Sequence, residues 1–210
     1  MISPRIAIVD YGAGNIKSVL NALKRIDLHN SILTKSASEI EAADALILPG
    51  VGAFGHCMKN LMKSGLIPSL ENSILKKKKP LLGICVGMQL LAESSDEDGF
   101  HSGLGWIPGH VEQIQPKAKF RIPHVGWNQV RLVPGDALFS KVQDGAFFYF
   151  DHSYAYSGCN SYVTSTASHG IEITASIKLS NIHGVQFHPE KSDRNGLRVF
   201  RAFGNIFSRC

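Results

Sequence analysis

The stretch LLGICVGMQLLAE at residues 81–93 decides how the chain is read. Its first five residues, Leu81–Cys85, form a short apolar run suited to a strand buried on both faces, and Gly87–Glu93 continues at helical spacing. Within it, Gly83-Ile84-Cys85-Val86-Gly87 has the form glycine–x–nucleophile–x–glycine, the pattern of a tight strand-to-helix turn. Such a turn presses backbone and helix together where a Cβ would clash, so glycine belongs on either side. A cysteine at the helix start gains from the unpaired N–H groups and the dipole there, which stabilise a thiolate. It also projects from the carboxyl edge of the sheet, where open α/β sheets bind ligands. The competing reading is a buried structural cysteine, the common fate of a free thiol.

The same alternation of strand and helix extends outward from this turn over the first half of the chain. Arg5–Val9 (RIAIV) is predicted as a strand, ended by the turn-rich Asp10–Asn15, after which Ile16, Val19, Leu20, Leu23 and Ile26 recur at helical spacing. Ser31–Thr34 reads as a second strand, Ser36 with Glu39 has the form of a capping box, and Ala45–Pro49 is a third strand. A helical stretch rich in Leu, Met and Lys fills 56–79, broken near Pro68. Strands separated by helices imply parallel βαβ units. Past residue 100 the strand-like runs Gly126–Val133, Ala146–Phe150, Tyr162–Ala167, Ile171–Ile177 and Ile182–Phe187 follow one another, and a helix at 196–207 closes the chain. The expected fold is α/β: an open, doubly wound, mainly parallel sheet with antiparallel strands added in the C-terminal half, all in one domain of residues 1–210.

Composition narrows the class. With 210 residues, 44% of them hydrophobic, the chain can bury a sizeable core without disulfides or a structural metal. Its cysteines, Cys57, Cys85, Cys159 and Cys210, form no CxxC pair and no finger spacing. The start, MISPRIAIVDYG, lacks a charged segment followed by a long apolar one, and no run approaches membrane-spanning length. A cytoplasmic protein without a membrane partner is expected. Lys and Arg exceed Asp and Glu by 22 to 17, a net +5, yet charged residues are only 19% of the chain, too diffuse an excess to predict a nucleic-acid polymer as partner. No HExxH, EF-hand or dense ligand cluster is present, so neither metal nor cofactor is predicted.

A nucleophilic cysteine needs a histidine base and a group that orients it. Of nine histidines, His188 stands out, because GVQF at 184–187 runs into His188-Pro189-Glu190. Proline after the histidine keeps His188 out of a helical conformation, and Glu190 returns to the same side to hold the imidazole. Taken alone, His188 reads better as a satisfied histidine at a strand end; with Cys85 in its turn, the base reading prevails. His152, after the apolar run 146–150, is a second candidate base by spacing. Gly50-Val51-Gly52-Ala53-Phe54-Gly55 matches a dinucleotide fingerprint, but it follows the third strand rather than the first. The better reading is a flexible Pro49–Gly52 loop that lends a backbone N–H to an oxyanion. Lys76–Lys79 reads as the solvated end of a helix, with phosphate contact as the lesser alternative.

Cys85 within GICVGMQLL, His188 and Glu190 within VQFHPEKS, and LPGVGAFG together resemble the class I (triad) glutamine amidotransferases. VDYGAGNIKSV, IPHVGWN and FYFDHSY resemble, within that family, the glutaminase subunits that work beside a (βα)8-barrel cyclase of histidine biosynthesis. The resemblance covers essentially the whole chain. It implies a triad of Cys85, His188 and Glu190 that hydrolyses L-glutamine through a thioester, with no metal. It implies an oxyanion hole from the Pro49–Gly52 loop (Gly50, Val51, Gly52) and Val86, in which Val51 contributes its N–H after a peptide flip. Glutamine recognition is implied for Gly52, Gln89, Glu97, His152, Ser153 and Tyr154. Contact with the cyclase in a heterodimer is implied for Asn15, Pro123, Trp127, Asn128 and Lys191, although Trp127 reads equally as a core residue. Asp151 departs from the family's usual apolar residue and is placed to perturb His152, and Val86 replaces a commoner leucine. Paralogous subunits that supply ammonia for amidino-sugar synthesis share these motifs; a silent regulatory subunit and a free-standing cysteine peptidase are the readings from other classes.

Overall fold

A computed structural model describes residues 4–117 and 120–206. In chain order, β1 (Ile6–Val9), α1 (Ile16–Lys24), β2 (Ser31–Thr34), α2 (Ala37–Ala42), β3 (Ala45–Gly50), α3 (Phe54–Lys63), α4 (Ile67–Glu71), β4 (Leu81–Cys85) and α5 (Val86–Gln89) alternate. There follow β5 (Ser94–Ser95), β6 (His101–Ser102), β7 (His110–Gln113), β8 (His124–Leu132), β9 (Ala146–His152), β10 (Tyr154–Ser157), β11 (Val163–Ser168), β12 (Glu172–Leu179), β13 (Ile182–Val185) and α6 (Asp193–Ile206). The main sheet has the order β2-β1-β3-β4-β13-β12-β11-β8-β9. Its first five strands are parallel, and from β13 outward every pairing is antiparallel. This is the predicted open sheet with antiparallel strands in the C-terminal half.

The parallel strands are covered on both faces, and every residue of β1, β3, β4 and β13 is buried, which explains their unbroken apolar runs. Helix α1 turns Val19, Ala22 and Leu23 inward, and α6 turns Val199, Phe200 and Phe203 inward. Under the antiparallel half, Phe148 stacks on Phe187 with ring centroids 4.1 Å apart.

Four details differ from expectation. The capping box does not form: Glu39 bonds the Thr34 hydroxyl and Ser36 pairs with Ser38, so the side chains serve the preceding strand end instead of α2. The helical stretch 56–79 starts at Phe54 and breaks at residues 64–66; Pro68 then sits in the first turn of α4, where its missing N–H costs nothing. Helix α5 stops at Gln89, short of the predicted Glu93. A second sheet, β10-β7-β5-β6, was not foreseen, because strands of two residues carry no periodicity. Residue 207, the predicted end of the last helix, and Cys210 lie outside the described residues.

The turn from β4 to α5 is built by contact. Cys85 has φ +53°, a conformation that a residue with a side chain adopts at a cost. A Cβ on Gly87 would lie 1.8 Å from the Leu48 carbonyl oxygen, and one on Gly83 would lie 2.7 Å from the Gly87 carbonyl oxygen. Both glycines are therefore required for α5 to cross β3 and β4 this closely. The Gly87→Ala protein should lose more than about 3 kcal/mol of stability through overpacking against rigid backbone. Urea unfolding reads this; a loss below about 1 kcal/mol would show that the crossing opens freely.

Four histidines lie inside the molecule, His124, His152, His183 and His188, and burial holds the first three neutral. His124 and His152 are bonded to each other, Nδ1 to Nε2, at 2.9 Å, and His183 lies edge-on to Phe203. Burial lowers the pKa of His124 to about 3 and those of His152 and His183 to about 4. For His124 the neighbouring His152 and His169 add to the effect, whereas Asp136 partly offsets it at His183. The unfolded chain takes up these protons near pH 6.5 and the folded one does not, so acidification below 6.5 favours unfolding. Stability should fall as pH drops from 6.5 towards 4, each histidine contributing up to about 1.4 kcal/mol per pH unit. Chemical denaturation across that range should show a shallower decline in His183→Gln; an unchanged slope would place its proton elsewhere.

Candidate active site

Three segments meet at the carboxyl edge of the parallel strands: the end of β4, the loop after β3, and the segment after β13. Gly50 lies opposite Cys85 in the β3–β4 pairing, and Val185 opposite Ile84 in the β13–β4 pairing. Cys85 is 3% exposed and His188 2%. Pro189 follows at the start of a short 3-10 turn, which carries Glu190 back beneath the ring.

His188 is fixed on all sides. Its Nδ1 is 2.8 Å from Glu190 Oε1, and it lines the same cavity as Cys85, close enough for the two side chains to interact. Its backbone N–H donates to the Tyr149 carbonyl at 2.9 Å, and its own carbonyl accepts from the Ser192 hydroxyl at 2.6 Å. Burial alone would favour a neutral ring. The hydrogen bonds and charges of Cys85 and Glu190 outweigh it and push the imidazole pKa up to about 10. At neutral pH His188 is thus an imidazolium between a carboxylate and a sulfur. The ring holds a proton ready for a leaving group.

The loop after β3 is held from behind. The Tyr11 hydroxyl donates to the Pro49 carbonyl at 2.7 Å, and the Cys57 thiol donates to the Val51 carbonyl at 3.4 Å. These two anchors leave the Gly50–Val51 peptide between tied neighbours. Val51 is 46% exposed, and Gly52, with φ +100°, sets the turn.

Cys85, His188, Val51, Gly52 and Val86 line a cavity of about 310 Å³, together with Gln89, Glu97, His152, Ser153 and Tyr154. Gly50 lies behind them as the last residue of β3. Every residue expected at the nucleophile, oxyanion or glutamine positions is therefore at or beside one hollow. Their polar atoms are not equally free. Glu97 Oε2 accepts the Phe54 N–H at 2.7 Å, and burial raises its pKa against the pull of that bond. His152 donates from Nδ1 to the Tyr154 carbonyl at 2.8 Å and accepts at Nε2 from His124, so neither ring nitrogen is left to serve as a base. Gln89 spends both N–H groups inside the protein, on the Tyr154 carbonyl and on Gln186, and keeps only its oxygen for a ligand. A larger hollow of about 990 Å³ lies beside Arg131 and Glu172, but it holds no nucleophile–base pair.

The residues expected to meet a partner divide. Pro123 lies on the rim of the site cavity. Trp127 is 49% exposed and meets Tyr149 edge-on, which decides against the core reading. Lys191 lies over the Tyr149 ring and 3.8 Å from Asp151 Oδ2, and the charge of Asp151 also reaches His152, where it partly offsets the effect of burial. Asn128 shares the inner side of β8 with His124, bonding that ring at 3.0 Å and the Ser168 carbonyl at 2.8 Å. Asn15 is half-buried at the start of α1. Exposed Val125 and Phe147 extend the apolar surface beside Trp127. No site role was read for them in the sequence, nor for Tyr11, Cys57, His124 and Gln186; Tyr11 meets its partner only through the tertiary fold, whereas Cys57 bonds a residue six positions away.

Comparison with known proteins agrees with this geometry. Residues 7–204 match the family model described as glutamine amidotransferase class-I. The chain is 48% identical over 199 residues to imidazole glycerol phosphate synthase subunit HisH 2 of Vibrio vulnificus, covering 95% of this chain and 93% of that protein. It is 46% identical to imidazole glycerol phosphate synthase subunit HisH of Listeria monocytogenes, covering 98% and 97%. In fold it is similar to the crystal structure of a glutamine amidotransferase from Thermotoga maritima, with a TM-score of 0.64 at 17% identity, over 100% of this chain and 86% of that one. With a cysteine on a strand-to-helix turn, a histidine locked to a glutamate beside it, and a family match over nearly its full length, the chain belongs to the class I glutamine amidotransferases.

Proposed function

We propose that this chain is the glutaminase subunit of an imidazole glycerol phosphate synthase, hydrolysing L-glutamine and passing ammonia to a (βα)8-barrel cyclase subunit for histidine biosynthesis in the cytoplasm. Residues 1–210 act as one glutamine amidotransferase domain in a heterodimer. The observation that carries this reading is the buried His188 ring, held between Cys85 and Glu190 in the wall of a cavity at the small end of ligand pockets. The names of the relatives, each a subunit of an imidazole glycerol phosphate synthase, support that enzyme and a second subunit.

In this reading Cys85 attacks the side-chain amide carbon of glutamine. The oxyanion is met by the backbone N–H of Val86 at the start of α5 and by that of Val51 once the Gly50–Val51 peptide has turned, Gly50 and Gly52 allowing the rotation. His188 gives its proton to the departing nitrogen, ammonia leaves, and a γ-glutamyl thioester remains on Cys85. His188, now neutral, takes a proton from water as it attacks the thioester, and glutamate is released. Glu190 keeps the ring oriented and supports its charge throughout. Glu97 and the His152-Ser153-Tyr154 segment bound the glutamine, with the oxygen of Gln89.

The partner is placed against the surface around Pro123, Trp127 and Lys191, beside the cavity mouth, with Asn15 and Asn128 supporting that face. Exposed aromatic and apolar side chains grouped beside a functional cavity suit a protein interface. Among the described residues no helix is long and apolar enough to cross a membrane, and no cluster of ligating side chains could hold a metal. An intact triad geometry favours catalysis over a purely regulatory role.

Glutamate release should be slow for the chain alone and strongly stimulated by the barrel cyclase loaded with its nucleotide; full activity without a partner would refute the gating. Stimulation by an amidino-sugar synthase and not by the histidine-pathway cyclase would reassign the pathway. In the complex, Cys85→Ala should abolish turnover by about 10⁴-fold or more and lose labelling by a glutamine-like electrophile. Glu190→Gln should lower kcat by about 10²–10⁴-fold through loss of the oriented imidazolium. Trp127→Ala should weaken cyclase binding by about 2 kcal/mol in titration calorimetry; unaltered affinity would move the interface elsewhere.

A further inference from the structure

Gln186 is fully buried, two residues before His188, and no step above uses it. Its backbone N–H is tied to the Ala175 carbonyl of β12 at 2.8 Å, so its position does not depend on the ligand cavity. The orientation of its side chain follows by elimination. A backbone carbonyl only accepts, so the end of the Gln89 amide lying 3.0 Å from the Tyr154 carbonyl is the nitrogen. That nitrogen is also 3.0 Å from the Gln186 amide, and since it can only donate, the end of Gln186 facing it is the oxygen. The Gln186 nitrogen is left 3.7 Å from Cys85 Sγ. The Tyr154 carbonyl that starts this chain is itself fixed by His152 Nδ1–H at 2.8 Å, and His152 by His124.

We propose that Gln186 is a positioning residue for the nucleophile: its amide, locked by Gln89, donates a hydrogen bond to the Cys85 sulfur. The inference rests on Cys85 being the nucleophile of the proposed reaction. A thiol is a weak acceptor and a thiolate a much better one, so the donor supports the sulfur in the state that attacks. His188 is the charged partner of the same sulfur. Tyr11 and Cys57, two titratable groups whose charge would reach it, are kept protonated chiefly by burial, and the Asp151 carbonyl lies 4.0 Å from it. Because Gln186 lies behind the sulfur rather than in the cavity, it should affect the rate of attack and not the binding of glutamine.

The test is steady-state glutaminase kinetics of Gln186→Met and Gln186→Glu in the complex with the cyclase partner. Methionine keeps the length and removes the donor; glutamate keeps the oxygen that accepts from Gln89. Both should lower kcat about tenfold to a hundredfold, and in Gln186→Glu, where Gln89 keeps its acceptor, KM for glutamine should stay within about twofold. A kcat within about twofold of wild type in a folded Gln186→Met protein would overturn the proposal. Should that variant not fold, the wild-type protein decides: alkylating Cys85 should move the side-chain amide signal of Gln186 in the nitrogen–proton NMR spectrum, and an unmoved signal refutes the contact. A wild-type complex that releases no glutamate would refute the glutaminase reading instead, with the NMR measurement still judging the hydrogen bond.

Discussion

At the crossing of β3 and α5 the Leu48 carbonyl and the Gly87 backbone stand so close that no side chain fits between them. Nearly every functional distance in the molecule depends on that contact. It brings α5 down onto the sheet, which forces Cys85 into a left-handed conformation and turns its side chain out at the sheet edge. With the sulfur set there, the neighbours on either side supply what surrounds it: β3 leads into the Pro49–Gly52 loop, and β13 leads into the segment that carries His188. Local backbone strain of this kind persists only where the surrounding packing over-determines it, and here the strands on both sides are completely buried.

The electrostatics of the site follow from the same enclosure. A buried imidazole surrounded by apolar groups stays neutral, as His183 shows, where burial prevails over the attraction of Asp136. His188 is as inaccessible, yet it is charged because Glu190 is bonded to it and Cys85 lies beside it. The difference is one of contact geometry rather than depth. Glu190 is itself enclosed, with Oε2 lacking a hydrogen-bond partner among the described residues, so the carboxylate has little except His188 to offset its desolvation. The two charges therefore hold each other in place.

Much of this was legible in the sequence, for physical reasons that differ from one part to another. The strands of the parallel half are buried on both faces and announce themselves as apolar runs, and the turn at Cys85 declares itself because only glycine tolerates the contacts on either side. The small sheet β10-β7-β5-β6 is invisible by comparison, since Ser94–Ser95 and His101–Ser102 are polar pairs whose partners lie many residues away. Glu39 was misread for a related reason: a capping box looks forward along the chain, while the side chain reaches back to Thr34. Gln186, Tyr11 and Cys57 act through bonds to residues 101, 38 and 6 positions distant, and of these only the last is within the range of any local pattern.

Strand β13 pairs with β4 in register, Gly184 against Gly83, although about a hundred residues of chain separate them. The central seam of the sheet is thus closed by the last of the described strands to be synthesised. Until it is made, the cysteine has neither its base nor the amide behind it, and the edge of β4 on that side is unpaired. A nascent chain consequently carries a dormant thiol throughout most of its synthesis, and chemistry becomes available only in the same folding event that completes the core.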